Sequence, residues 1–237
     1  AIDFASIVYK QSGYKFYGNE LILNRKFRFK FSKSREYEGN IKRVIVKRSR
    51  VGEYYLIVVT DAQPREYRKT HNGASVGIDF GLKMYLTMSD GSEYSNPLFL
   101  KQHLSEIRQK SRNLSKCKKG SNNRKKKQIE LARLHEDLHN KREDYQFKLA
   151  HELCKKYDYI FIEDLHLTGM TKMWGRKMND LAHAAFVGKL EYVASKYGVV
   201  VHKIDRWYAS SKTCECGYLN KSLQLSDREW ICPKCGS

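Results

Sequence analysis

The chain has 237 residues, of which 41% are hydrophobic, enough to fill one large domain or two smaller ones. Lys and Arg number 45 against 26 Asp and Glu, and the formal charge of +19 exceeds what a charge-mixed surface needs, so a polyanion is the expected partner, nucleic acid first. No apolar run is long enough to span a bilayer and no charged segment leads into an apolar stretch at the N-terminus, so no membrane partner and a cytoplasmic location are expected.

The chain starts at Ala1 rather than Met, which suggests a fragment or a processed product. From about Tyr14 to Asp61 the pattern is strand-like. "KFRFKF" alternates Phe27, Phe29 and Phe31 with Arg28 and Lys30, which predicts one buried face and one cationic face. "IKRVIVKR" and "EYYLIVV" follow, with a hairpin turn predicted at Gly52. Short strands without helical periods predict a small antiparallel barrel over residues 1–70, closed by the polar boundary "TDAQPREYRKTHNGA".

The period then changes. "SVGIDF" is a continuous apolar strand ending in an acid, and "KMYLTMSDGSEYS" predicts two strands turning at Asp90 and Gly91. Helical spacing of Leu131, Leu134, Leu138, Tyr145, Leu149 and Leu153, broken at "CKKGSNN", predicts a helical hairpin over 102–157. "YDYIFIED" is a strand, "LAHAAFVGKLEYVASKYG" a helix stopped at Gly198, and "VVVHKID" another strand. Antiparallel strands followed by helix, strand, helix and strand describe a mixed α/β sheet of the ribonuclease H type over 71–209.

In that order Asp79 and Glu163 close two neighbouring parallel strands and emerge at one edge. Two carboxylates placed so would repel, and a divalent cation removes the conflict; oxygen ligands alone favour magnesium or manganese. Metal ions held this way support in-line hydrolysis of a phosphodiester. The alternative is that both acids merely cap the turns that follow their strands. Asp164 should point to the other side of its strand and act as such a cap.

Four of the six cysteines follow residue 213. Cys214 and Cys216 answer Cys232 and Cys235 across a short hairpin in residues 210–237, the pattern of a closed structural zinc site, with a one-residue spacer in the first pair where two is usual. Cys117 and Cys154 are read as free thiols. Seven cations, Lys116, Lys118, Lys119, Arg124, Lys125, Lys126 and Lys127, crowd the break in the helical hairpin. Such a run is often a solvated loop. Together with Arg28, Lys30 and 16 Tyr, 10 Phe and 3 Trp, it reads as a surface for phosphates and unpaired bases.

Five ordered segments, "VGIDFGLK", "KKGSNNRKKKQIELARLHEDLHNKREDYQFKLAHEL", "YIFIEDL", "IDRWYASSKTC" and "LSDREWICPKCG", resemble TnpB, the RNA-guided nuclease family of insertion sequences, to which compact type V CRISPR effectors are similar. "GNIKRVIVKRSRVGEYYLIVV" resembles that family's wedge domain. The resemblance implies a RuvC domain of the ribonuclease H fold, an oligonucleotide-type wedge barrel gripping a noncoding guide RNA, and a zinc ribbon inserted in RuvC. It implies Asp79 and Glu163 as the first and second catalytic acids with magnesium, Cys214, Cys216, Cys232 and Cys235 as zinc ligands, and target DNA as substrate. The family also has a helical recognition region, for which this chain has no stretch, and a third acid after the ribbon in a segment resembling D-R-D-x-N-A-A, before which this chain ends. Asp205 and Asp227 are poorly placed to replace it. A nuclease-inactive, RNA-guided DNA-binding repressor is the alternative function, and a generic zinc-ribbon nucleic-acid-binding module would leave the two acids unexplained.

Overall fold

The computed structural model describes residues 6–10, 12–63, 66–67, 69–81, 83–163, 181–205, 212–224 and 229–237. Asp164 and Asp227 lie outside them. The chain forms two compact units, one from Ala1–Tyr67 and Phe99–Tyr145, the other from Arg68–Leu98 and Gln146–Ser237.

The first unit begins with six strands: β1 (Ser6–Lys10), β2 (Tyr14–Tyr17), β3 (Glu20–Leu23), β4 (Phe27–Lys30), β5 (Ile41–Arg48) and β6 (Tyr54–Thr60). They divide into two three-stranded sheets, β1-β5-β6 and β2-β3-β4, and no ladder among the described residues closes them into a barrel. Leu21 and Leu23 of β3 and Val44 of β5 form the buried centre, with Tyr9, Tyr14, Phe16, Phe31, Ile41, Val46 and Leu56 around it. Both sheets therefore share one apolar core. The predicted hairpin between β5 and β6 is present, with Ser49 and Glu53 exchanging a backbone bond of 2.7 Å beside Gly52.

The expected burial along "KFRFKF" is corrected. Phe27 and Phe29 are 57% and 51% exposed, and every residue of β4 is exposed. β4 is the edge of its sheet, paired only with β3, so its Phe side chains overhang the rim while Phe31, just past the strand, reaches the core.

The predicted helical hairpin is α1 (Phe99–Ser115) and α2 (Asn122–Lys156), broken where the cations and Gly120 lie. Within the first unit, Leu134 and Leu138 of α2 are buried and Phe99 meets Tyr145 edge-on. Helix α1 buries no residue, so its burial is one-sided and shallow.

The second unit is built on a five-stranded sheet in the order β11-β10-β7-β8-β9, from β7 (Ser75–Phe80), β8 (Met84–Met88), β9 (Glu93–Ser95), β10 (Tyr159–Glu163) and β11 (Val200–Ile204). β10 runs parallel to both β7 and β11, and the remaining pairs are antiparallel, so the sheet is mixed as predicted. Val76, Ile78, Phe80, Ile160 and Ile162 alternate onto one buried face. Helix α3 (His183–Tyr197) stands against that core, with Phe186 edge-on to Phe80 and Tyr85, and stops at Gly198. Leu149, Ala150, Leu153 and Cys154 of α2 are buried in the same unit.

Asp158 ties the start of β10 to the segment that leads into β7. Its carboxylate accepts from the backbone N–H groups of Asn72 and Gly73 at 2.7 and 2.6 Å, pairs with Lys69 at 2.6 Å, and meets His71 Nδ1 at 2.8 Å. Both partners of the Lys69 pair are buried, and the surrounding donors, Lys69 first, hold the Asp158 carboxyl well below the usual range. Every lone pair of this buried acid has a partner, which is what makes it tolerable in the interior.

Candidate metal centres and nucleic-acid surface

Strand register decides which acids can meet. The ladder between β7 and β10 pairs Tyr159 with Ser75, Ile160 with Val76, Phe161 with Gly77 and Ile162 with Ile78. Glu163 and Asp79 are the next residues on each strand, on parallel neighbours about 4.8 Å apart. Alternation puts both on the face opposite the buried one, with Gly77 and Phe161 one step behind them. Asp79 opens to solvent, yet partial burial of its carboxyl, and then the charge of Glu163, raise its pKa; the backbone N–H of Phe80 acts in the other direction. The two carboxylates therefore sense each other. Among the described residues no cation pairs with Asp79, and a divalent metal with oxygen ligands fits this donor set. Asp205 follows β11 directly.

The four late cysteines come together by local turns. Their sulfur atoms all lie within 4.8 Å of one another, with Cys214 and Cys235 at 3.4 Å and Cys216 and Cys232 at 3.6 Å. Each pair sits on a knuckle closed by glycine: Gly217 N–H donates to Cys214 O and Gly236 N–H to Cys232 O, both at 2.8 Å, at φ of 80° and 77°. A side chain would strain both positions, so the Cys-Gly ending of each pair has a backbone cause. Thr213 bridges Leu219 across the first knuckle. The one-residue spacer between Cys214 and Cys216 does not prevent convergence, and the cluster can hold a metal ion. Ser237, through its hydroxyl and then its backbone, brings the Cys235 thiol down to about 6, toward the thiolate a metal requires.

The seven cations of the helical break have separate fates. Arg124 turns inward and donates to the carbonyls of Leu114 and Cys117 at 2.8 and 3.3 Å, capping the end of α1. Lys127 pairs with Glu130 at 2.9 Å. Lys116, Lys118, Lys119, Lys125 and Lys126 are exposed and have no ion pair among the described residues. Arg28 and Lys30 are exposed on β4, opposite Ile22 and Glu20. Cys117 is half-buried, and Cys154 is buried with its thiol pushed up to about 12, so it is inert.

Sequence reasoning missed the Lys69–Asp158 latch and a buried polar knot. In the knot, Gln146 Nε2 donates to Tyr85 Oη at 2.9 Å and to Ala182 O at 3.2 Å, beside His183, whose ring nitrogens have no partner. A lone polar residue inside an apolar helical stripe was the only available signal.

A mixed sheet with two edge acids, followed by a four-cysteine cluster that can hold a metal ion, defines an α/β protein of several sheets. The "Probable transposase" family model matches residues 57–173, and the "Cas12f1-like, TNB domain" model matches residues 183–237. The chain is 33% identical over 197 residues to a Streptomyces pristinaespiralis protein named "Putative RNA-guided DNA endonuclease", covering 82% of this chain and 48% of that one. It is 28% identical to the TnpB-like protein L79 of Acanthamoeba polyphaga mimivirus, covering 77% and 38%. This chain belongs to the TnpB and Cas12f1-like family of transposon-associated proteins. It spans 48% and 54% of the two relatives it covers furthest and about 40% of the mycobacterial and mimivirus ones. Its fold is shared with Cas12f1 as solved in a complex with single-guide RNA and target DNA, at a TM-score of 0.55 and 18% identity, over 98% of this chain and 57% of that one. No helix among the described residues is long and apolar enough to cross a membrane.

Proposed function

We propose that this chain carries the nuclease centre of an RNA-guided DNA endonuclease of the TnpB type, acting in the cytoplasm with a guide RNA and target DNA. The observation that supports this reading is that Asp79 and Glu163 each follow the last residue paired between adjacent parallel strands, on the same face, with burial and then the charge of Glu163 raising the Asp79 pKa. The names of the relatives and the Cas12f1 complex support it. On this reading the five-stranded sheet is a RuvC sheet of the ribonuclease H type, and the two N-terminal sheets are a wedge that grips the guide.

Asp79 and Glu163 would hold magnesium, which supplies Lewis acidity for in-line hydrolysis of a phosphodiester. The protein's part is to fix two carboxylates on a rigid strand edge, so that little reorganisation accompanies reaction. Phe80 and Ile162, next to the acids in sequence, are buried in the core beneath the sheet. Cys214, Cys216, Cys232 and Cys235 would hold zinc as a closed structural site. Lys116, Lys118, Lys119, Lys125 and Lys126 offer free charge to phosphates, and Arg28 and Lys30 add to it beside the exposed rings of Phe27 and Phe29.

The test is Asp79→Ala in the full-length protein assembled with guide RNA. Magnesium-dependent cleavage of target DNA should vanish, while target binding in a gel-shift assay stays within about twofold, since phosphate contacts carry affinity. Undiminished cutting by the variant rejects the assignment. Binding without cutting by the unmutated protein points to the repressor role instead.

A further inference from the structure

Asp79 has two neighbours on its row of the sheet. Glu163 stands on one side; on the other, the antiparallel ladder between β7 and β8 pairs Asp79 with Thr87. Directly opposed residues of an antiparallel pair bring their Cβ atoms to about 5 Å on the same face. Thr87 is half-buried, and its hydroxyl has no hydrogen-bond partner among the described residues. The next hydroxyl on that face, that of Ser89 just past β8, is engaged: it accepts from the Gly77 N–H at 2.9 Å. Within one strand of Asp79, therefore, Ser89 serves the backbone, and Thr87 serves no group among the described residues.

That contrast needs a cause. Val has nearly the shape of Thr and an equal liking for a half-buried strand, without the cost of an idle hydroxyl. A hydroxyl retained beside a metal-binding carboxylate suits the character of magnesium, which dehydrates reluctantly and keeps several waters when two carboxylates hold it. Those waters are strong donors and need acceptors whose positions are set in advance. The β-branched Thr side chain is stiff about its first torsion, so its oxygen is held in place by the strand itself.

We propose that Thr87 is a positioning residue for the metal centre, its hydroxyl oxygen accepting a hydrogen bond from a water on the ion held by Asp79 and Glu163. The proposal rests on the nuclease reading above and adds to it a residue outside the carboxylate pair. Thr87 touches neither the metal nor the DNA on this account; it acts through the water, as outer partners of metal ligands generally do.

Three variants of the full-length protein test it: Thr87→Val, Thr87→Ser and Asp79→Asn. Manganese serves as the probe, titrated in the absence of nucleic acid and followed by electron paramagnetic resonance of the free ion, and cleavage is measured against magnesium concentration in the guide RNA complex. Thr87→Val should weaken manganese binding by on the order of tenfold and raise the magnesium needed for half-maximal cleavage by a similar factor, with target binding unchanged. Thr87→Ser, which restores the oxygen and not the methyl group, should recover both. Manganese binding by Thr87→Val equal to that of the parent overturns the proposal, and so does a Ser variant as impaired as the Val variant, which would make the effect one of packing. Asp79→Asn separates this from the underlying reading: if it too binds manganese and cuts normally, the nuclease assignment falls, whereas loss in Asp79→Asn with parental behaviour in Thr87→Val removes Thr87 alone. Equal melting temperatures of the three variants exclude a folding defect, and a fall confined to Thr87→Val that Thr87→Ser does not share leaves the Ser result to decide.

Discussion

The four-cysteine cluster and the proposed carboxylate site are assembled by opposite routes. Asp79 and Glu163 are far apart in sequence and are joined by the register of a sheet whose hydrophobic face is complete without any ion. Cys214, Cys216, Cys232 and Cys235 are gathered by two tight turns with little around them: Cys232 is the one buried member of the cluster, and neighbouring Ile231 is 78% exposed. A site assembled by a core should survive loss of its metal. One assembled by turns should not.

The largest expected effect breaks that comparison most directly. If the cluster holds zinc as proposed, a chelator, or replacing Cys232 with Ser, should abolish order in residues 212–224 and 229–237 while the five-stranded sheet stays folded. Hydrogen exchange measures both: the amides of Cys214, Gly217 and Gly236 should lose protection by orders of magnitude, and those of β7 and β10 should keep it. Equal loss in both places would mean that the ribbon supports the sheet and that the two centres are not independent.

The same contrast explains what was legible in sequence. The convergence of the four cysteines was readable because their geometry is local, and the strands β7 to β11 because each carries its own period and punctuation, such as Asp90 and Gly91 between β8 and β9. Asp79 and Glu163 could be proposed as partners because a parallel neighbour relation follows from the order of elements. Register does not follow, so Thr87 stayed invisible beside Asp79. Edge position was equally hidden: the alternation in "KFRFKF" is the same for a central strand as for β4, and only the sheet order shows why Phe27 and Phe29 are exposed. Arg124 looks like its six cationic neighbours in sequence, and only the end of α1 distinguishes it.

A smaller effect concerns the core on which the carboxylate edge rests. His183 is 2% exposed, packed on Phe80 and Tyr85, and burial brings its pKa down to about 4 from 6.5. The folded chain keeps His183 neutral where the unfolded chain binds a proton. Stability from this group is therefore constant above pH 6.5, falls as pH drops through that value, and levels off below about 4. The full span is about 3 kcal/mol at 1.36 kcal/mol per unit. Urea denaturation between pH 7 and pH 4.5 should show a steeper decline for the parent than for His183→Leu. Parallel curves would mean that the ring is hydrated or paired, and that the core beneath Asp79 is insensitive to acid.

The smallest effects lie in the helical break, where the comparison is between cations of one composition and different surroundings. Lys125 and Lys126 have no ion pair among the described residues, Lys127 already neutralises Glu130, and Arg124 is held by carbonyls. Each free lysine that meets a phosphate should contribute about 0.7 to 0.9 to the slope of log affinity against log salt, because it releases a condensed counterion. Lys125→Ala and Lys126→Ala should each flatten the slope of RNA binding by up to that amount. Lys127→Ala should change it less, since removal also frees Glu130 to repel the backbone only weakly through solvent. Arg124→Ala should leave the slope alone and lower the melting temperature, because it uncaps α1. A slope change for Arg124 equal to that for Lys126 would show that the carbonyl cap opens when nucleic acid binds, and the seven cations would then act as one cluster.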